Sequence, residues 1–419
     1  MMKHLFGPID AAVLIYFRFF AGMLLSFEMI NSLKLGDLSE YLAPFHFSYF
    51  YFTWIRPWPL EAMLVLYGFT ILAGFTFALG FKQRLSAIVI FLGHSLLFLM
   101  EKSEYNNHIY LYCLIGFWMI WMPEVKSYKL STPRWFYYLL IFHISVVYFY
   151  AGLAKLDYEW LSGHTVKNML RSDNPEMYIY GGLAFDLLIV PLLIWKKTRL
   201  PAFLVSCLFH LINVYNFGLA TFPWFSIMMT AMFFGASWPR RLKLFNDFFP
   251  ETDRRVPKIS SRHYVLTGVL GIYCLLHLLI PLRQHLYPGQ PSWTEEGHQF
   301  SWRMKLRDKT GETFFYVIDK PSKKVKVIYP RQYLTKKQLK NLNGNPDSIL
   351  QFAHFLKERN PGTAIFASSL ISLNGRSKKE MIDPKIDLAR EKRKVGLYDW
   401  VLSENYLTPS NGGAAVGSR

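Results

Sequence analysis

Nine apolar runs, parted by charged or Pro/Gly-rich breaks, decide what kind of structure is open to this chain: 11–30, 60–80, 85–100, 109–122, 135–153, 177–195, 201–217, 222–237 and 264–282. A hydrocarbon core about 30 Å thick is crossed by roughly 20 apolar residues of helix. The runs therefore predict a membrane all-α bundle of about nine transmembrane helices. Composition agrees, with 18% of the 419 residues charged, against about a quarter in soluble domains. A further 52% are hydrophobic, the 17% that are aromatic among them, which excludes disorder and argues against an ordinary cytosolic enzyme. Cys113, Cys207 and Cys274 each lie inside an apolar run, so a disulfide scaffold is excluded as well. The first run contains Arg18 and lacks a small-residue cleavage site, and so reads as a span rather than a signal peptide.

Lysine and arginine gather in short cytoplasmic loops, and here they alternate. Lys82 and Arg84, Lys126, Lys129 and Arg134, Lys196, Lys197 and Arg199, and the group Arg240, Arg241, Lys243, Arg254, Arg255 and Lys258 follow the even-numbered runs. The loops at 101–107 and 216–221 are poor in them. This places the N-terminus in the cytoplasm and everything beyond Leu282 outside it, in the periplasm or at the outer face of a bacterium, or in the ER lumen of a eukaryote.

Beyond Leu282 the pattern changes. Residues 302–307 and 313–318 alternate or run in β-branched and aromatic side chains, with 308–311 as the turn between them. Residues 325–329 and 364–373 read as further strands, and 334–342 and 347–359 have helical spacing. The expected plan is a transmembrane domain over 1–282, a β-rich α+β extracytoplasmic domain over 283–405, and a Gly/Ala/Ser-rich flexible tail over 406–419. The segment from 283 onward holds 24 basic and 13 acidic residues, a net +11 of the chain's +18. Such a domain favours acidic peptides or anionic membrane lipids as partners. Nucleic acid is not expected, because the domain lies across the membrane from it.

Ionisable groups inside an apolar bundle are costly and are functional candidates by default. Three groups share the outer side: Asn106, Asn107 and His108 at the start of the fourth run, Lys155 with Asp157 at the end of the fifth, and His210 with Asn213 toward the end of the seventh. Lys155 is the sharpest, since an ammonium desolvated among Tyr150, Ala151, Gly152 and Trp160 loses its charge more readily than one in water. A neutral lysine is a general base. Tyr148, Gly152 and Lys155 fall on one helix face, and Gly152 leaves room for a flat ligand. The plainer alternative is a lysine snorkelling to the headgroups or paired with Asp157 or Glu159. His108 is suited to position or protonate an oxygen substituent, with Asn107 supplying amide hydrogen bonds; its alternative is a histidine at a polar helix start. His210 and Asn213, one turn apart, either bind a polar ligand edge or act as interhelical glue. His94, His143, His277, Arg18, Glu28 and Asp186 read as structural. No His or Cys pair has metal-ligand spacing, so no metal is expected, and an aromatic interior beside a basic group suits a quinone-like ligand.

Several motifs carry a family resemblance. Asn106-Asn-His-Ile-Tyr-Leu-Tyr112, Val147-Tyr-Phe-Tyr-Ala-Gly-Leu-Ala-Lys-Leu-Asp-Tyr-Glu-Trp160, Phe209-His-Leu-Ile-Asn213, Phe222-Pro-Trp224 and Trp238-Pro-Arg240 resemble the transmembrane domain of the vitamin K-dependent γ-glutamyl carboxylases. Trp293-Thr-Glu-Glu-Gly297, Phe300-Ser-Trp-Arg-Met304, Ser372-Leu-Asn-Gly-Arg376 and Ile382-Asp-Pro384 resemble the family's lumenal region. The resemblance implies that a lysine base deprotonates reduced vitamin K, a phylloquinol or menaquinol, which reacts with O2 to give a base strong enough to take the γ-proton of a peptide glutamate. The carbanion adds CO2, and the quinone leaves as its epoxide. Lys155 matches the catalytic lysine, His108 a histidine on the hydroquinone oxygen, and His210 a third pocket residue. Leu373, Asn374, Gly375 and Arg376 match the region presenting the glutamyl peptide.

The chain also departs from the family. Where members often carry two adjacent lysines, Ala154 precedes Lys155. Animal members continue well beyond the equivalent of Trp400, so propeptide docking of their kind is not expected, and a compact, bacterial-type member is. Two rival readings keep the pocket but change its use: a quinol epoxidase without glutamate carboxylation, and a quinone-binding membrane protein that is not an enzyme.

Overall fold

The computed structural model describes residues 2–34, 38–123, 129–130, 132–170, 174–241, 251–252 and 258–403. The expected tail at 406–419 and the basic loop residues Lys126, Lys243, Arg254 and Arg255 lie outside them. The chain divides into two compact units, one of Met1–Leu282 with Gln299–Leu306 and one of Arg283–His298 with Arg307–Arg419.

In the first unit all nine apolar runs are helical: α1 (Ala12–Lys34), α2 (Leu60–Leu79), α3 (Gln83–Met100), α4 (Asn107–Met119), α5 (Arg134–Ala154), α6 (Pro175–Ile194), α7 (Arg199–Phe217), α8 (Phe222–Ala231) and α9 (Ser261–Leu279). Seven described helices are long and apolar enough to cross a membrane. The fourth and eighth runs fall short, and the expected nine crossings are not reached among the described residues. With 13 residues, α4 is about 20 Å long: it opens at Asn107 and ends at Met119, short of the end of the apolar run. The seven suffice to make this a membrane protein. On α7, Leu204, Val205, Leu208 and Leu211 are each about half exposed, a surface that suits lipid rather than water.

Local chemistry sets the helix ends and crossings. Asp10 starts α1 by accepting the Ala12 N–H at 3.0 Å and also pairs with Arg240 at 2.7 Å. Gly80 closes α2 in the left-handed region at φ 78°, returning its N–H to Phe77 O. Small residues let backbones meet: a Cβ on Gly22 would lie 2.5 Å from Gly74 O, and one on Gly74 would lie 2.1 Å from Ser26 Oγ. Some buried polar groups bridge helices. His143, for instance, bonds Leu139 O and the Tyr273 hydroxyl, both at 2.7 Å.

The second unit holds an antiparallel sheet of β1 (Lys309–Asp319), β2 (Val325–Ile328), β3 (Thr363–Leu373) and β4 (Lys379–Glu380) in the order β2-β1-β3-β4. Thr313, Phe315 and Val317 alternate inward. Phe315 meets α11 (Pro346–Arg359), whose Phe352 ring lies 5.1 Å from it. The shorter α10 (Lys336–Leu342) opens on a capping box between Thr335 and Gln338. Lys309 is buried where three acceptors converge, Trp293 O and Glu295 Oε1 at 2.6 Å and Gly344 O at 2.7 Å.

Two expectations for this part are corrected. Residues 302–307 form no strand, since Phe300, Trp302 and Lys305 have φ of 61°, 56° and 55°, which breaks any pleat. Residues 302–306 belong to the helical unit. Trp302 is buried with its ring 5.1 Å from Tyr110, and the Phe300 N–H donates to the Tyr105 hydroxyl at 2.6 Å. Residues 309–311, read as turn, open β1 instead.

Candidate functional site

Lys155 stands immediately after α5 as its C-cap, with 7% of its surface exposed. Its ammonium pairs with the carboxylate of Asp186 on α6, itself 5% exposed. It also lies 5.0 Å above the Trp160 ring, a cation–π contact. Neither sequence-adjacent acid takes the amine. Asp157 caps the one-turn helix Tyr158–Leu161 through the Glu159 N–H and holds Arg303 at 2.9 Å. Nor does Gly152 open ligand space, because a Cβ there would meet Leu187 Cδ2 at 2.7 Å. It admits α6 to close contact and so brings Asp186 to the lysine. Gly182, one turn earlier on α6, lies beside Trp160 and the Lys155 stem.

His210, buried on α7, meets the Tyr148 hydroxyl at 2.7 Å. Tyr148 thus shares a helix with the lysine's cap and a hydrogen bond with the histidine. Phe185, the neighbour of Asp186 in sequence, packs its ring 5.7 Å from Tyr148 and 6.0 Å from His210, and stacks on Phe209 at 3.7 Å. Asn213 is half-buried one turn on and makes no hydrogen bond to His210.

His108 lies in the first turn of α4, its Nε2 3.3 Å from Glu28 Oε1 on α1. The other Glu28 oxygen accepts the Thr221 hydroxyl, which is 3.1 Å from the Tyr112 hydroxyl. Asn107 is committed elsewhere: its Oδ1 accepts from the Tyr105 hydroxyl at 2.9 Å and its Nδ2 donates to Arg303 O at 3.2 Å. Phe222, the first residue of α8, joins the two histidines, with its ring 5.8 Å from His108 and 6.4 Å from His210.

Three polar stations are therefore linked in one unit: Lys155 with Asp186, His210 with Tyr148, and His108 with Glu28. Phe185 packs beside Tyr148 and His210, and Phe222 beside both histidines. Glu28 and Asp186 are the residues that sequence reasoning passed over. The available signal was an acid within an apolar run, and what hid its use is that each partner lies on another helix. Among the described residues no group of three or more His, Cys, Asp or Glu forms a metal-ligand set.

Leu373, Asn374, Gly375 and Arg376 lie in the second unit, at the turn from β3 to β4. Leu373 is fully buried, and Asn374, at φ 51°, latches the sheet by exchanging hydrogen bonds with the Asp308 backbone, both at 2.8 Å. Of the four, Gly375 is exposed and Arg376 half-buried.

No solved structure matches the chain. The HTTM domain family model matches residues 6–238, more than half of the sequence, and the model of the vitamin K-dependent gamma-carboxylase lumenal domain matches residues 262–406. With the three polar stations inside the first match and the four-stranded sheet inside the second, the chain belongs to the vitamin K-dependent γ-carboxylase family.

Proposed function

We propose that this protein uses reduced vitamin K, O2 and CO2 to convert peptide glutamate to γ-carboxyglutamate, with epoxidation of the quinol coupled to carboxylation and Lys155 as the base. The observation that carries the reading is the buried Lys155–Asp186 pair beside two histidine stations on an aromatic floor. The donor set suits a flat hydroquinone: polar groups stand ready for ring oxygens, and Phe185, Phe209 and Phe222 offer faces for the ring. When bound, that group supplies, with O2, the base strong enough for the γ-proton.

The chain's own residues have separable tasks. Once its own proton has passed to Asp186, Lys155 takes a hydroxyl proton, which leaves the ring oxygen as an anion beside the ammonium that forms and Asp186 as the neutral acid. Trp160 covers the amine and helps exclude water, which a strong base and a carbanion both require. His108 holds an oxygen substituent, and His210, fixed by Tyr148, lines the same wall. The exported sheet domain, with Gly375 and Arg376 at its β3–β4 turn, receives the glutamyl peptide, the guanidinium being suited to a carboxylate. The N-terminus is cytoplasmic in this reading and the site lies toward the outer leaflet.

The test uses detergent-purified protein with reduced vitamin K, a glutamyl peptide and labelled bicarbonate, following epoxide and peptide-bound label together. Both products are expected. Epoxide without peptide label would reduce the activity to a quinol epoxidase, and neither product from folded protein would make it a quinone-binding protein.

A further inference from the structure

Glu28 is a carboxylate deep in the bundle, 7% exposed, and its contacts constrain one another. An ionised carboxylate only accepts hydrogen bonds. Thr221 spends its single hydroxyl hydrogen on Glu28, so the Tyr112 hydroxyl, 3.1 Å from Thr221 Oγ1, must donate to it in turn. The same count fixes His108: the ring nitrogen facing Glu28 at 3.3 Å, Nε2, has to carry the hydrogen. In a neutral imidazole Nδ1 is then a bare lone pair, and it makes no hydrogen bond with any described residue. The ring itself is held at Phe222 and Tyr112, with centroids 5.8 Å and 5.6 Å away.

We propose that Glu28 is a positioning residue that fixes the tautomer of His108 and thereby makes this station an acceptor, selective for the hydroquinone over the quinone. A hydroquinone oxygen carries a hydrogen for Nδ1 to accept. A quinone oxygen carries none and would set lone pair against lone pair. The site would thus distinguish the reduced from the spent ring by hydrogen-bond polarity, with no change of shape. This rests on the reading of the pocket as a vitamin K site, and the experiment separates the two.

Equilibrium binding of reduced and oxidised vitamin K, measured anaerobically with purified protein, should show a preference for the reduced form of about tenfold or more, one hydrogen bond set against one repulsion. In Glu28→Gln the side-chain amide can donate to Nε2 and move the hydrogen to Nδ1, so the preference should shrink at least tenfold or invert. Glu28→Asp, which keeps an acceptor, should retain its direction. A merely structural role would weaken both ligands equally and leave the ratio alone, and that result would overturn the proposal. If the Gln variant does not fold, 15N-histidine spectra of the unaltered protein, assigned by the signal lost in His108→Gln, read the tautomer directly. Hydrogen on Nδ1 would refute it. Wild-type protein that binds neither form would remove the vitamin K reading itself, whereas wild type that prefers the quinol with a ratio unmoved in Glu28→Gln would remove this inference alone.

Discussion

Lys155 and Asp186 are each less than a tenth exposed, so neither can lose its partner cheaply. Deleting one member of a buried ion pair strands a charge at a cost of about 3–5 kcal/mol, whereas replacing both with apolar residues of similar volume is often neutral. Lys155→Met and Asp186→Leu should therefore each lower the thermal unfolding temperature in detergent by several degrees, and the double variant should recover most of the loss. Additive losses would mean that the pair is not coupled as described. For catalysis, Lys155→Ala should abolish epoxide formation in protein that still inserts and folds, and normal turnover there would sink the mechanism. His108→Ala should slow epoxidation more than it changes peptide affinity; a change in peptide affinity alone would remove the role assigned to it. Lys155 and His108 could be picked out of the sequence because each is polar at the rim of an apolar run. Their partners could not, since 31 residues separate Asp186 from Lys155 and 80 separate Glu28 from His108, and periodicity along one helix carries no information about which helix lies opposite.

Helix contact in lipid depends on how closely two backbones can approach, because lipid is as apolar as a leucine side chain and gives little reason to pair otherwise. Gly74 on α2 is such a point, with a Cβ there reaching 2.1 Å from Ser26 Oγ on α1. Gly68 on the same helix has nothing within 4 Å of its own Cβ position. Gly74→Val should cost about 1–3 kcal/mol by overpacking and lower the unfolding temperature, while Gly68→Val should be near neutral; equal effects would show that helix propensity, not the crossing, is responsible. Elements with a clean period were legible. Residues 313–318 fall inside the longer strand Lys309–Asp319, strands also form at Val325–Ile328 and Thr363–Leu373, and the helices expected over 334–342 and 347–359 form within two residues of those ends. The failure at 302–307 has a physical cause. Its alternating apolar and charged residues imitate a strand, yet Trp302 and Phe300 serve as ring anchors on Tyr110 and Tyr105, and both take left-handed backbone angles. Such a clasp has no periodicity to read.

Charge is distributed unevenly along the chain, and that distribution was legible from the residue counts alone: the segment past Leu282 carries +11 of the net +18. The structure divides into two compact units, with Gln299–Leu306 in the helical one. A field of that sign acts on partners in proportion to their own charge and is screened over about 8 Å at physiological ionic strength and about 3 Å at 1 M. Reduced vitamin K is uncharged and partitions from the bilayer, so salt should not change its KM. A glutamate-rich peptide approaches through water against the basic domain, and its KM should rise several-fold between 50 and 500 mM KCl, mostly through slower association. A peptide of the same length with a single glutamate and no net charge should show little of this rise. Should the acidic peptide prove insensitive to salt while carboxylation proceeds, recognition would have to rest on the apolar contacts of the exported domain, and its excess of lysine and arginine would be free to serve the anionic lipid surface instead.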